Sequence, residues 1–172
     1  MPGNEMGEMQ TSFPAIAESL ILVGAANAAP VALKRLLSNR CSQPIDGGLR
    51  ICDGRRLLGS SKTWRGVLIG ILAPACLSPL MNMPWRAGAL AGASAMAGDC
   101  LASFLKRRFG FGVSSMALGL DQIPESLLPA ISMRAYVPLG AIDIAIVVLL
   151  FFFGELALSR VFFRLGLRER FY

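Results

Sequence analysis

The sequence predicts an all-α integral membrane protein with about five transmembrane helices, the fourth short or broken. Three observations predict it. Of 172 residues, 54% are hydrophobic and only 16% charged, whereas a soluble domain carries roughly 25% charged residues. The mean hydropathy is +0.56. The apolar residues form runs suited to a ~30 Å hydrocarbon core, and the basic residues collect between alternate runs. A disordered chain, a coiled coil and an ordinary cytosolic domain are excluded.

The first run, residues 13–37, contains Glu18, Asn27 and Pro30. It is no secretory signal, because Glu5 and Glu8 stand where a basic leader belongs. The second and third runs cover residues 66–83 and 87–105. The fourth, residues 123–133, is too short to span alone and carries Pro124, Glu125 and Pro129, so a broken or re-entrant segment is expected. The fifth, residues 139–158, holds the run IVVLLFFFG and is long enough to cross. No repeat or linker divides the chain. Residues 1–172 therefore read as one polytopic domain with polar loops at about 38–65 and 106–122.

Fifteen of the seventeen Lys and Arg lie in those two loops, at the end of the first run that leads into them (Lys34 and Arg35) or in the C-terminal tail, leaving Arg86 and Arg134 on the other side. This asymmetry predicts cytoplasmic loops and C-terminus, an outside N-terminus, and a multi-pass protein of the cell membrane whose site faces the cytoplasm. Gly66-x-x-x-Gly70 and Gly88-x-x-x-Gly92, with Ala89, Ala93 and Ala97 at the same spacing, predict close helix packing.

The chain has no histidine, which removes His acid–base chemistry, Ser-His-Asp triads and most zinc sites. Cys41, Cys52, Cys76 and Cys100 form no C-x-x-C pair, and Cys76 and Cys100 read as small core residues. A net charge of +6 leaves nucleic acid, anionic lipid or a phosphorylated substrate as partners. Nucleic acid is disfavoured, since Trp64, Phe109 and Phe111 are the only aromatics available beside the basic loops.

Asp99 lies late in an Ala/Gly-rich membrane helix, where a carboxylate is costly and usually faces a cavity, a cation or a partner. Ser103 and Lys106 share its face and Arg107 is adjacent. Packing reads Asp99 as the sealed end of a helix; chemistry reads it as a metal ligand beside phosphate-binding cations. Asp121 reads alone as an N-cap of the fourth segment. Paired with Asp99, it gives two carboxylates of the kind that bind Mg²⁺ together with substrate phosphates. The run Gly59-Ser60-Ser61-Lys62-Thr63-Trp64-Arg65-Gly66 offers close backbone approach, hydroxyls and two cations for phosphate oxygens. Juxtamembrane anchoring through Trp64 and Arg65 explains the same residues.

These residues resemble a known family. Asn27-Ala28-Ala29-Pro30, Pro44-Ile45-Asp46, Leu58-Gly59-Ser60-Ser61-Lys62-Thr63-Trp64-Arg65-Gly66, Gly98-Asp99, Ser103-Phe104-Leu105-Lys106-Arg107-Arg108 and Leu120-Asp121-Gln122 look like the CDP-archaeol synthase family, related to CTP:phosphatidate cytidylyltransferases. The resemblance implies a Mg²⁺-dependent transfer of CMP from CTP to a membrane lipid phosphate, ether- or ester-linked, with pyrophosphate released. By position, Asp99 and Asp121 would hold metal, and Lys106 and Arg107 would bind phosphates. Asp46, Gly59, Ser60, Ser61, Lys62, Thr63, Arg65 and Ser103 would line the substrate site. One departure stands out: the family's second acid, three residues after Asp121, is Pro124 here, followed by Glu125. The competing expectation is a non-catalytic scaffold or transporter subunit that grips anionic lipid through its basic loops.

Overall fold

A computed structural model describes residues 11–37, 42–112 and 117–164. Five α-helices occupy the expected runs: α1 (Phe13–Leu37), α2 (Trp64–Leu77, continued by a 3₁₀ turn Ser78–Met81), α3 (Trp85–Arg108), α4 (Gln122–Met133) and α5 (Ala141–Arg164). Four of them are long and apolar enough to cross a membrane. Among the described residues there is no β-strand, only two isolated bridges in the loop before α2.

α3 is the central helix, packed against α1, α2 and α4. Its glycines explain how. A Cβ on Gly88 would sit 2.0 Å from the Pro74 carbonyl oxygen, on Gly92 2.5 Å from that of Gly70, and on Gly98 2.2 Å from that of Pro124. Only glycine lets these backbones approach, which is how helices associate in lipid. The alanines divide differently from the expected stripe. Ala93 and Ala97 face outward, whereas Ala87, Ala91, Ala95 and Ala102 are buried, because α3 is enclosed on the flanks that carry those positions. Cys76 likewise faces outward rather than inward, Cys100 is half-buried, and Cys41 lies outside the described residues.

α2 and α3 form a tight hairpin. The 3₁₀ turn ends at Asn82 in the left-handed region (φ 57°), which asparagine tolerates better than most residues. α4 is continuous despite Pro129, but its 12 residues reach only about 18 Å. The following segment, with Val137 and Leu139 buried against α1, α3 and α5, completes the passage to the Trp85 end of the bundle.

Candidate active site

The site forms at the opposite, basic end. The loop of residues 42–63 is folded by antiparallel bridges between Pro44 and Thr63 and between Arg50 and Arg56. Asp46 is its anchor. Its carboxylate, with no exposed side-chain surface, accepts from Arg56 Nη2 (2.7 Å), Gly48 N (3.1 Å), Leu58 N (3.2 Å) and Gly59 N (2.9 Å). Burial pushes the carboxyl up, but these four donors outweigh it and hold its pKa well below the usual carboxylate range. Gly59 turns at φ +103°, a conformation that suits glycine. From there Lys62 N donates to Gly59 O at 3.3 Å and Ile45 N donates to Lys62 O at 2.9 Å. Thr63 then caps α2, its hydroxyl oxygen accepting from Gly66 N at 3.2 Å.

A second clamp ties this loop to the end of α3. Arg108 pairs with Asp53 at 2.5 Å and donates to Arg56 O at 2.8 Å. Arg55 Nη1 donates to the carbonyls of Arg107 (3.1 Å) and Arg108 (2.9 Å), satisfying acceptors that a helix C-terminus leaves open.

Between loop and helices lies a cavity of about 590 Å³. Ser60, Ser61, Lys62, Thr63 and Arg65 line one side, and Asp99, Glu125 and Glu155 line the other. Lys62 Nζ donates to both carboxylate oxygens of Asp99. The Glu125 carboxyl lies next to Asp99 as well, because Gly98 brings α3 onto the backbone of Pro124 and Glu125. Lys106 forms the neighbouring pair, with Nζ 2.6 Å from Asp121 Oδ1, and its charge also acts on Asp99.

The sequence-predicted residues thus separate into three groups. Ser60, Ser61, Lys62, Thr63, Arg65 and Asp99 meet in the cavity. Lys106 and Asp121 sit beside it as a pair. Asp46 and Gly59 hold the loop from beneath, buried Ser103 lies within α3, and buried Arg107 donates from Nη2 to Gly112 O at 2.7 Å. Asp121 takes the N-cap position of α4 but makes no side-chain cap; it accepts from Ala117 N at 3.1 Å instead. The acid in contact with Asp99 is Glu125, not Asp121. Sequence reasoning missed Glu155, Lys34 and Arg55. The rule that singled out Asp99, a lone carboxylate in a membrane helix, applies equally to Glu155 in the fifth run.

Comparison with known proteins follows the same lines. The family model described as CarS-like: CDP-archaeol synthase matches residues 35–84 and 75–172. A CDP-archaeol synthase of Hyperthermus butylicus is 39% identical over 127 residues, 69% of this chain and 70% of that protein. One of Thermofilum pendens is 32% identical over 98% of this chain and 81% of that protein. One of Methanopyrus kandleri is 42% identical over 47% of this chain and half of its own length. A solved intramembrane enzyme for archaeal membrane lipids biosynthesis superposes with a TM-score of 0.70 at 28% identity, covering 83% of this chain and 90% of that one. The chain belongs to the CDP-archaeol synthase family and is a membrane enzyme of the nucleotidyltransferase class.

Proposed function

We propose that the chain transfers CMP from CTP to an archaeal, ether-linked lipid phosphate, releasing pyrophosphate, in the cavity at the basic end. The observation that carries this reading is the gathering of Lys62, Arg65, Asp99 and Glu125 around one cavity: cations for a polyphosphate beside carboxylates for a divalent ion. A lipid phosphate oxygen attacks the α-phosphorus of CTP, and the bond to the β-phosphate oxygen breaks. The attacking oxygen is already anionic, so the absence of histidine is no obstacle. What is needed is positioning and charge compensation.

Lys62 and Arg65, both lining the cavity, would hold phosphate oxygens. Lys106, paired with Asp121 beside the cavity, supplies further positive charge. The donor set suits Mg²⁺: Asp99 and Glu125 offer neighbouring carboxylate oxygens on the cavity. Mg²⁺ is commonly bound through one or two carboxylates plus substrate phosphates. Asp99 and Glu125 would hold the ion, with Glu125 serving where the family's acid is Pro124. When bound, the ion neutralises charge on the transferring phosphates. The basic end faces the cytoplasm, where CTP is.

The test is release of pyrophosphate by the purified protein, given CTP, Mg²⁺ and a lipid phosphate with ether-linked chains. Release is expected only with all three. In sealed vesicles, CTP is expected to work from the side that exposes the loops. Turnover with CTP on the Trp85 side alone would invert the topology, and no turnover with any lipid phosphate would overturn the reading.

A further inference from the structure

Before any ligand arrives, Lys62 and Asp99 in the cavity and Lys106 and Asp121 beside it are already matched within the chain. Lys62 donates to both oxygens of Asp99, and Lys106 pairs with Asp121 at 2.6 Å. The transfer reaction asks Lys62 to hold phosphate and Asp99 to hold a cation. One ammonium cannot serve both at once. We propose that Lys62 is an internal counter-ion for Asp99, closing the cation position until a polyphosphate draws the ammonium away, so that divalent cation and nucleotide bind as a linked pair. This rests on the cavity being the nucleotidyl-transfer site.

The local geometry favours an exchange by the side chain alone. The backbone of Lys62 is pinned on both sides, by its N–H to Gly59 O and its carbonyl to Ile45 N, and the next residue caps α2. What can swing is the four-carbon stem, the flexible part of a lysine. The side chains of Lys62 and Asp99 keep 20% and 21% of their surface exposed, so both can be reached from the cavity. Arg65 and the hydroxyl residues Ser60 and Ser61 line the same cavity, where a bound phosphate would draw the ammonium.

Electrostatics then couples the two ligands. A divalent cation entering with Lys62 still on Asp99 meets a like charge at contact distance. A polyphosphate entering alone leaves Asp99 and Glu125 in contact with no cation between them. When both enter, the ammonium passes from Asp99 to a phosphate oxygen and the cation takes its place, so no charge is left bare. Such coupling is reciprocal: each ligand must raise the other's affinity by the same factor.

Mn²⁺ in place of Mg²⁺ makes this measurable by electron paramagnetic resonance, with CTP present and lipid phosphate omitted so that nothing turns over. Wild-type protein is expected to bind Mn²⁺ at least ~10-fold more tightly with saturating CTP than without, inside the usual range of coupling between sites. Lys62→Gln is expected to raise nucleotide-free Mn²⁺ affinity by at least ~10-fold and to abolish most of the coupling. Lys62→Arg, which restores a cation beside Asp99, is expected to bring nucleotide-free binding back down. An unchanged nucleotide-free affinity in Lys62→Gln overturns the proposal. So does wild-type protein that binds Mn²⁺ equally with and without CTP, a result that needs no variant to fold. No Mn²⁺ binding under either condition would instead defeat the cation site itself, and the linkage with it.

Discussion

Asp46 and Asp99 each carry a basic partner, Arg56 for one and Lys62 for the other, yet only Asp99 has room to change it. Asp46 takes four donors and has no exposed side-chain surface. Its lone pairs are engaged by the loop it organises. Asp99 keeps 21% of its side chain open, faces a cavity and shares its space with a second carboxyl, Glu125. Saturation leaves the Asp46 carboxylate nothing further to bind, whereas the open Asp99 carboxylate is the one the proposed function uses. The sequence marks Asp46 only through the family resemblance and Asp99 also as a carboxylate within a membrane helix; the geometry sets the two apart.

The sharpest way to break this contrast is Asp99→Asn, which removes charge and keeps volume. Its turnover is expected to fall at least ~100-fold, the scale of one lost electrostatic contact at a transferring group, with thermal stability near wild type. Wild-type turnover across a Mg²⁺ titration would remove Asp99 from the site.

Asp46→Asn is expected to act on stability instead, costing about 1–3 kcal/mol through buried donors left unpaired, read as a lower Tm. Because the folded-state pKa of Asp46 is depressed, its stabilisation is present above the ordinary carboxylate value of about 3.9. It is lost as pH falls from there towards the lower folded-state value. The Tm gap between wild type and Asp46→Asn should therefore narrow in melts taken from about pH 6 down to about pH 3. A gap that stays constant with pH would show that the charge of Asp46 is not what holds the loop.

The smallest effect is expected for Arg55→Ala. It removes two hydrogen bonds at the end of α3 from an exposed side chain, for about 1 kcal/mol and little change in turnover by the folded protein. A rate loss rivalling that of Asp99→Asn would make the clamp part of the site.

The helices were legible because hydrocarbon demands long apolar runs, and glycine spacing announced the close contacts of α3. Much of the site's composition was legible too, since a carboxylate in a membrane helix and the run Gly59–Gly66 each stand out. Pairing was less legible. Along α3, Lys106 shares a face with Asp99, but seven residues is about 10 Å of helix. Lys106 instead finds Asp121, while Asp99 is met by Lys62, 37 residues away in sequence. Glu125 replaces Asp121 beside Asp99 because Gly98 docks against Pro124 and Glu125, a contact between helices that no spacing within one helix encodes. Arg55 escaped notice because its role depends on where α3 ends in space.

The ion pair between Lys62 and Asp99 also bears on how α3 is held in the membrane. α3 is the least apolar of the four long helices and the most enclosed by protein, whereas α5 is the reverse. A glycine- and alanine-rich helix carrying an aspartate gains little from lipid, since a carboxylate within a membrane segment is costly. Its residence in the bilayer is therefore a property of the company it keeps. The turn at Asn82 folds α2 against α3 and sets Lys62 opposite Asp99. The two helices thus form one hairpin with these charges neutralised against each other. Under the proposed exchange, the contact that opens for substrate is also the one that neutralises the acid of this helix.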